Sequence, residues 1–163
     1  MNGLNAIYPK RGLPFHVSDY PKKVQALLHQ KLAPVDAIVQ GLPRRFRFYS
    51  TFAMSQARGL LRAMAQRDDW EDVLFYCAML LEPYQFLRHP NVHITNAYFS
   101  PIDRFIAEKM HKSVVHLPRQ FVQFGDTIQK DGIIDTIVHT VTPPDEEGYV
   151  NLGVNCEILW EAL

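Results

Sequence analysis

Arg45-Phe46-Arg47-Phe48-Tyr49-Ser50 alternates in character residue by residue, as a β-strand does, and the chain keeps returning to runs of this kind. VLFYCAMLL, residues 73–81, is a continuous apolar run of strand length, as expected of a strand covered on both faces. Val92-His93-Ile94-Thr95, Ser113 to His116 and Ile133 to Val141 read as further strands. Between them apolar residues recur at helical spacing. Val24, Leu27, Leu28 and Leu32 do so from Tyr20 to Leu32, and a short helix follows from Val35 to Val39. Ala57, Leu60, Leu61 and Met64 line a helix from Ser55 to Gln66, with Arg58, Arg62 and Arg67 turned outward. Ile102, Phe105, Ile106 and Met110 share a face from Pro101 to Met110. Strands that alternate with helices need crossover connections, and crossovers make strands parallel. The expected fold class is therefore α/β: a mainly parallel sheet flanked by helices.

The punctuation agrees. Pro34 suits a first helical turn, Gly41-Leu42-Pro43 stops one, and Ser100-Pro101 supplies an N-cap and a first-turn proline. Pro118 to Phe124 reads as a helical turn. Pro9, Gly12 and Pro14 make residues 1–18 an irregular arm, leaving 19–163 as a single domain with no internal repeat.

Seventeen acidic and seventeen basic groups balance, which excludes the basic excess of a nucleic-acid binder. The one cationic run, Arg44-Arg45-Phe46-Arg47, reads as a solvated strand entrance. Cys77 and Cys156 form no framework or paired motif, and Cys77 sits in an apolar run. No segment has the apolar length of a signal peptide or a membrane span, so a cytoplasmic protein with no membrane partner is expected. His89 and His93 are separated by Pro90, His111 and His116 straddle a helix end and a strand, and no metal motif occurs. Nucleotide-binding glycine loops and nucleophile elbows are also absent from the sequence.

Ligands of parallel sheets bind beyond the carboxyl ends of the strands. Two segments fall there: Ser50-Thr51-Phe52, and Thr142 to Gly148. Ser50 and Thr51 suit either an anion or the local finishing of a strand. In PPDEEGY, Asp145 is suited to bonding amides ahead of it and Gly148 to positive φ, while Tyr149 needs a polar partner if buried.

The stretch IIDTIVHTVTPPDEEGYVNLGVN, Ile133 to Asn155, resembles the acetyl-CoA hydrolase/transferase family, which includes 4-hydroxybutyrate and acetate CoA-transferases. Asp135, Pro144, Asp145, Gly148, Tyr149 and Gly153 match its closing motif, and Glu147 stands where the family carries His. Residues 35–67 are similar to its opening unit, and the segment AYFSPIDRFIAEKMHKSVVHLPRQF, with Arg104, looks like its middle one. The resemblance covers about residues 20–155 and corresponds to the N-terminal half of a family chain.

It implies a CoA-transferase-like N-terminal domain with Ser50 and Thr51 lining the substrate pocket. Asp145, Gly148, Tyr149 and Gly153 form the turn near it. Coenzyme A would arrive as a thioester substrate, with no permanently bound cofactor, and a small carboxylate would be the acceptor. The reaction needs a glutamate nucleophile, which the resemblance places in the C-terminal half. No residue here is expected to be catalytic, and Glu157-Ile158 reads as a helix start. A second chain or a homo-oligomer would complete the site. The alternatives are a truncated, non-catalytic module that binds a partner protein or CoA, and an unrelated α/β domain sharing the turn.

Overall fold

Phe46 and Phe48 lie on one face of strand β1 (Arg45–Ser50), and the main core is built on that face. The computed structural model describes residues 16–118, 120, 123, 125–126 and 134–154. Four more strands pair with β1 in one sheet: β2 (Asp72–Cys77), β3 (Val92–Asn96), β4 (Val114–His116) and β5 (Thr136–Val138). Their order is β4-β3-β2-β1-β5, and every pairing is parallel. The α/β class with a parallel sheet is thus the one the strand–helix alternation demanded.

Residues two apart on a strand share a face. Phe46, Phe48, Val73, Phe75, Cys77, Val92 and Ile94 point to the main core; Tyr49, Tyr76 and Ala78 begin a smaller cluster on the other side. The main core is closed by helices α2 (Val35–Gly41), α3 (Arg58–Ala63) and α4 (Pro101–Lys109), through Val39, Leu61 and Ile106. Phe48 stacks on Phe46 at 5.1 Å and on Phe75 at 4.7 Å between ring centroids. Each such fully buried side chain contributes roughly 1.5–3 kcal/mol of transfer free energy.

Helix α4 starts as expected. Ser100 is the N-cap, Pro101 follows it, and Asp103 completes a capping box by accepting from the Ser100 backbone. Elsewhere boundaries shift for local reasons. Residues 53–55 make a separate 3₁₀ turn, so α3 begins at Arg58 rather than Ser55. Strand β2 stops at Cys77 because Met79 turns into the left-handed region at φ 46°. Strand β5 ends at Val138, since Thr140 is diverted to bond the loop after β1. Phe105, expected on the apolar face of α4, is 44% exposed.

Arg67, expected to face solvent, is a correction: its side chain is only 7% exposed. It donates to the carbonyls of Val39 and Leu42 at 2.8 and 2.7 Å, chelates Asp69, and lies 4.2 Å above the Trp70 ring. Helical spacing placed it on the polar face, but a guanidinium that fills carbonyl lone pairs at a helix end is buried with little penalty. Arg44, Arg45 and Arg47 pair with Asp69, Glu71 and Asp72 at the strand entrance, so the cationic run is neutralised where it stands.

The chain divides into two compact units, one of residues up to Leu32 with Val141–Asn151, the other of Ala33–Thr140 with Leu152 onward. The sheet and α2–α4 belong to the second. The first contains helix α1 (Lys22–Lys31), whose Leu27 and Val24 approach Gly148 so closely that a Cβ there would lie 3.4 Å from Leu27. No helix among the described residues is long and apolar enough to cross a membrane. Residues 1–15, Ile133, Asn155, Cys156 and Glu157-Ile158 lie outside the described residues, as do Phe121, Val122 and Phe124 of the helical turn expected from Pro118.

Candidate functional site

Register brings three polar side chains together at the carboxyl end of the sheet. Ser50 pairs with Cys77, and Cys77 with Asn96, so all three point to the same face in adjacent strands. All are fully buried. Asn96 donates to Asp103 Oδ1 at 2.5 Å and accepts from Tyr98 N–H at 3.0 Å, which pins the loop after β3 to the start of α4. Burial pushes the Cys77 thiol well up, Asp103 adding to it, so no thiolate nucleophile stands there. The Ser50 hydroxyl has no partner among the described residues.

The loop after β1 is held by hydroxyls. Thr51 Oγ1 lies 3.0 Å from the Ser55 carbonyl and 2.6 Å from His139 Nδ1. His139 Nε2 lies 2.7 Å from the Leu152 carbonyl, which can only accept, so Nε2 carries a proton. The single Thr51 proton then serves either Ser55 or His139. Thr140 closes the loop from the other side, its N–H donating to Ser55 O and its hydroxyl to Gln56 O. Ala53 within the loop has φ 44°, a left-handed value that a residue with a Cβ adopts at a cost of roughly 1–2 kcal/mol.

Gln56 joins this loop to the one after β2. Its Oε1 accepts from the Tyr84 hydroxyl at 3.0 Å and from Leu81 N–H at 3.4 Å, while its Nε2 has no partner among the described residues. Burial, with Glu82 adding to it, pushes the Tyr84 phenol above its usual range. The unfolded phenol therefore ionises first, and stability is lost as pH rises through the ordinary tyrosine range near 10 toward the folded value. Tyr84→Phe is expected to lower unfolding free energy by about 1–2 kcal/mol in urea and to remove this alkaline loss. An unchanged alkaline profile would show that Tyr84 is not its source.

The same edge exposes apolar side chains. Met54 is 67% and Tyr98 55% exposed, with Met79 and Phe99 less so. Tyr98, Phe99, His116 and Pro118 line an open cleft of about 530 Å³ beyond β3 and β4. No group of three potential metal ligands occurs among the described residues. His89 is used locally, Nε2 donating to Asp68 O and Nδ1 accepting from Asn91 N–H.

Of the residues singled out from the sequence, Ser50 and Thr51 sit at the end of β1 with both side chains buried, Thr51 partnered and Ser50 not. Asp135 pairs its carboxylate and N–H with Arg47, extending the β1–β5 ladder. Asp145 Oδ1 accepts from the N–H groups of Glu147 and Tyr149, and Gly148 has φ 95°: the turn is made as its residues suggest. Tyr149 is 71% exposed and Arg104 is exposed. That turn belongs to the smaller unit, whereas Gly153, at φ 76° beside the Thr140 carbonyl, belongs to the sheet unit. Gln56 and His139 escaped sequence reading. Only the polar break of His139 in an apolar strand gave a signal.

No protein-family profile matches the chain, and no curated protein does. Solved structures do. The crystal structure of RipA from Yersinia pestis matches with a TM-score of 0.71 at 22% identity, over 82% of this chain and 34% of that one. A 4-hydroxybutyrate CoA-transferase from Porphyromonas gingivalis matches at 0.55 and 20% identity, over 85% of this chain and 32% of that one. The chain spans about a third of the length of these structures. At such identities the likeness is one of fold: an α/β domain folded like part of RipA and part of that 4-hydroxybutyrate CoA-transferase.

Proposed function

We propose that this chain is a domain of an acyl-CoA:carboxylate CoA-transferase or acetyl-CoA hydrolase. The observation that carries the reading is the fold shared with the 4-hydroxybutyrate CoA-transferase, together with a carboxyl edge where hydroxyl and amide groups converge. The substrates are an acyl-CoA thioester and a small carboxylate, and no cofactor is permanently bound. A glutamate carboxylate from a second domain attacks the thioester carbonyl, forming an acyl–glutamyl anhydride and releasing CoA thiolate. The thiolate then attacks the glutamyl carbonyl, expelling the first acid as its carboxylate and leaving a glutamyl-CoA thioester. An incoming carboxylate takes the CoA by the reverse sequence, whereas water gives hydrolysis. The apolar side chains exposed at Met54, Met79, Tyr98 and Phe99 favour a covering domain, supplied by another polypeptide segment or by a second copy.

Transfer of radiolabelled acetate into acetyl-CoA is the test, with borohydride trapping of a glutamyl-CoA thioester. Exchange and a trapped adduct are expected when the chain is expressed with its flanking reading frames. Neither exchange nor adduct in that sample would sink the enzymatic reading and leave the non-catalytic module.

A further inference from the structure

The smaller of the two compact units carries a surface of its own. An apolar groove of about 370 Å³ lies along helix α1. Leu27, Lys31 and Leu32 line it from the helix, and Val141, Pro143 and Val150 line it from the segment that packs on the helix. Leu27, Leu32, Val141 and Val150 are each at least 40% exposed, so the lining is open to water. Contiguous apolar surface of this kind marks a place where another molecule sits.

The turn beside the groove holds out a ring. Tyr149 donates its N–H to Asp145 Oδ1 and accepts the Asp145 N–H on its carbonyl, both at 2.8 Å. Behind it Asn151 N–H donates to Thr142 Oγ1, and Thr142 N–H donates to the Asn151 carbonyl. The backbone of Tyr149 is thereby fixed, while the residue is the most exposed of the described tyrosines and phenylalanines. An aromatic side chain on rigid backbone loses little entropy on burial, which is what an interface anchor requires.

Charge says what that anchor meets. Helix α1 carries Lys22, Lys23 and Lys31 and no acid, whereas the turn carries Asp145, Glu146 and Glu147 and no base. Among the described residues every ion pair belongs to an arginine of the sheet unit, and none uses these lysines or acids. Asp145 Oδ1 is occupied by the amides of the turn, but Glu147 accepts no cation. One unit thus offers an apolar socket with a cation in its lining and an aromatic plug with an acid two residues away. Such a surface is complementary to itself, and a two-fold axis lets both copies use both halves and closes the assembly.

We propose that the chain pairs with a second copy through this unit, Tyr149 of each copy entering the groove of the other and Glu147 meeting Lys31 across the two-fold. The surface is distinct from the carboxyl edge that exposes Met54 and Tyr98, and the pairing stands whether or not the proposed activity does.

Sedimentation velocity over a dilution series is the test. A monomer–dimer equilibrium is expected at low salt, weakened as sodium chloride screens the charges at the groove. Tyr149→Ala should weaken pairing by about thirtyfold or more. Because the ring is exposed, that change should leave the urea midpoint of the monomer in place. Lys31→Glu and Glu147→Lys should each weaken self-pairing by about fivefold. An equimolar mixture of the two should pair again, since each copy then offers the charge the other lacks. A chain monomeric throughout the series, a dimer indifferent to Tyr149→Ala, or a mixture that pairs no better than either variant alone would overturn the interface.

Discussion

Arg67→Ala is expected to lower the unfolding free energy by about 3–5 kcal/mol. The side chain is almost wholly buried and satisfies the carbonyls of Val39 and Leu42, both at the end of α2. Truncation strands both acceptors, uncovers Trp70 and opens a void beneath α2. The Asp69 limb adds little, because that carboxylate is solvent-exposed. Its hydrogen bond to Arg67 still holds it below the usual carboxylate range. Arg67→Lys keeps the charge but lacks the planar fork, and should recover less than half of the loss. Urea titration of both variants decides it. A loss under about 1 kcal/mol for Arg67→Ala would mean that the carbonyls find other partners.

Asp103→Ala should be of similar size, again about 3–5 kcal/mol. Asp103 is fully buried and accepts from Asn96 Nδ2, from Ser100 N–H and from the Ser100 hydroxyl. Its removal unpairs three donors and breaks the capping box of α4 at once. Asp103→Asn gives a finer test. One side-chain oxygen remains for either Asn96 or Ser100, so the loss should fall to roughly half. The Asp103→Ala change should also loosen the loop from Asn96 to Ser100, seen as faster amide exchange at Tyr98, whose N–H is held by Asn96 Oδ1. Equal losses for the two variants would contradict a role resting on individual hydrogen bonds.

Where a local rule has one physical outcome, the sequence sufficed. Alternation over Arg45–Ser50 placed β1 at both ends, and Ser100-Pro101 placed the start of α4. The turn from Asp145 to Gly148 was legible because few residues make it as well. Periodicity failed where tertiary partners decide. Arg67 looked like a surface cation because nothing in its helix reveals the carbonyls of α2. Residues 78–81 look like strand until Met79 turns away. At the candidate site, Ser50 and Thr51 could be named, since strand ends are readable. Gln56 could not, because an amide with one satisfied and one idle end is a fact of three dimensions.

The order β4-β3-β2-β1-β5 also sets a kinetic hierarchy. Strands β1 to β4 meet neighbours roughly 20–30 residues away along the chain, whereas Arg47 meets Asp135 across a separation of 88. Closing that longer loop costs about 1 kcal/mol more in chain entropy than closing a crossover of ordinary length. It is repaid by three residues of ladder at a sheet edge. Strand β5 is thus the part of the sheet whose docking depends most on the rest already being in place, and it delivers His139 and Thr140 to the β1 loop. Assembly of the candidate site is therefore tied to the pairing of longest sequence separation in the sheet.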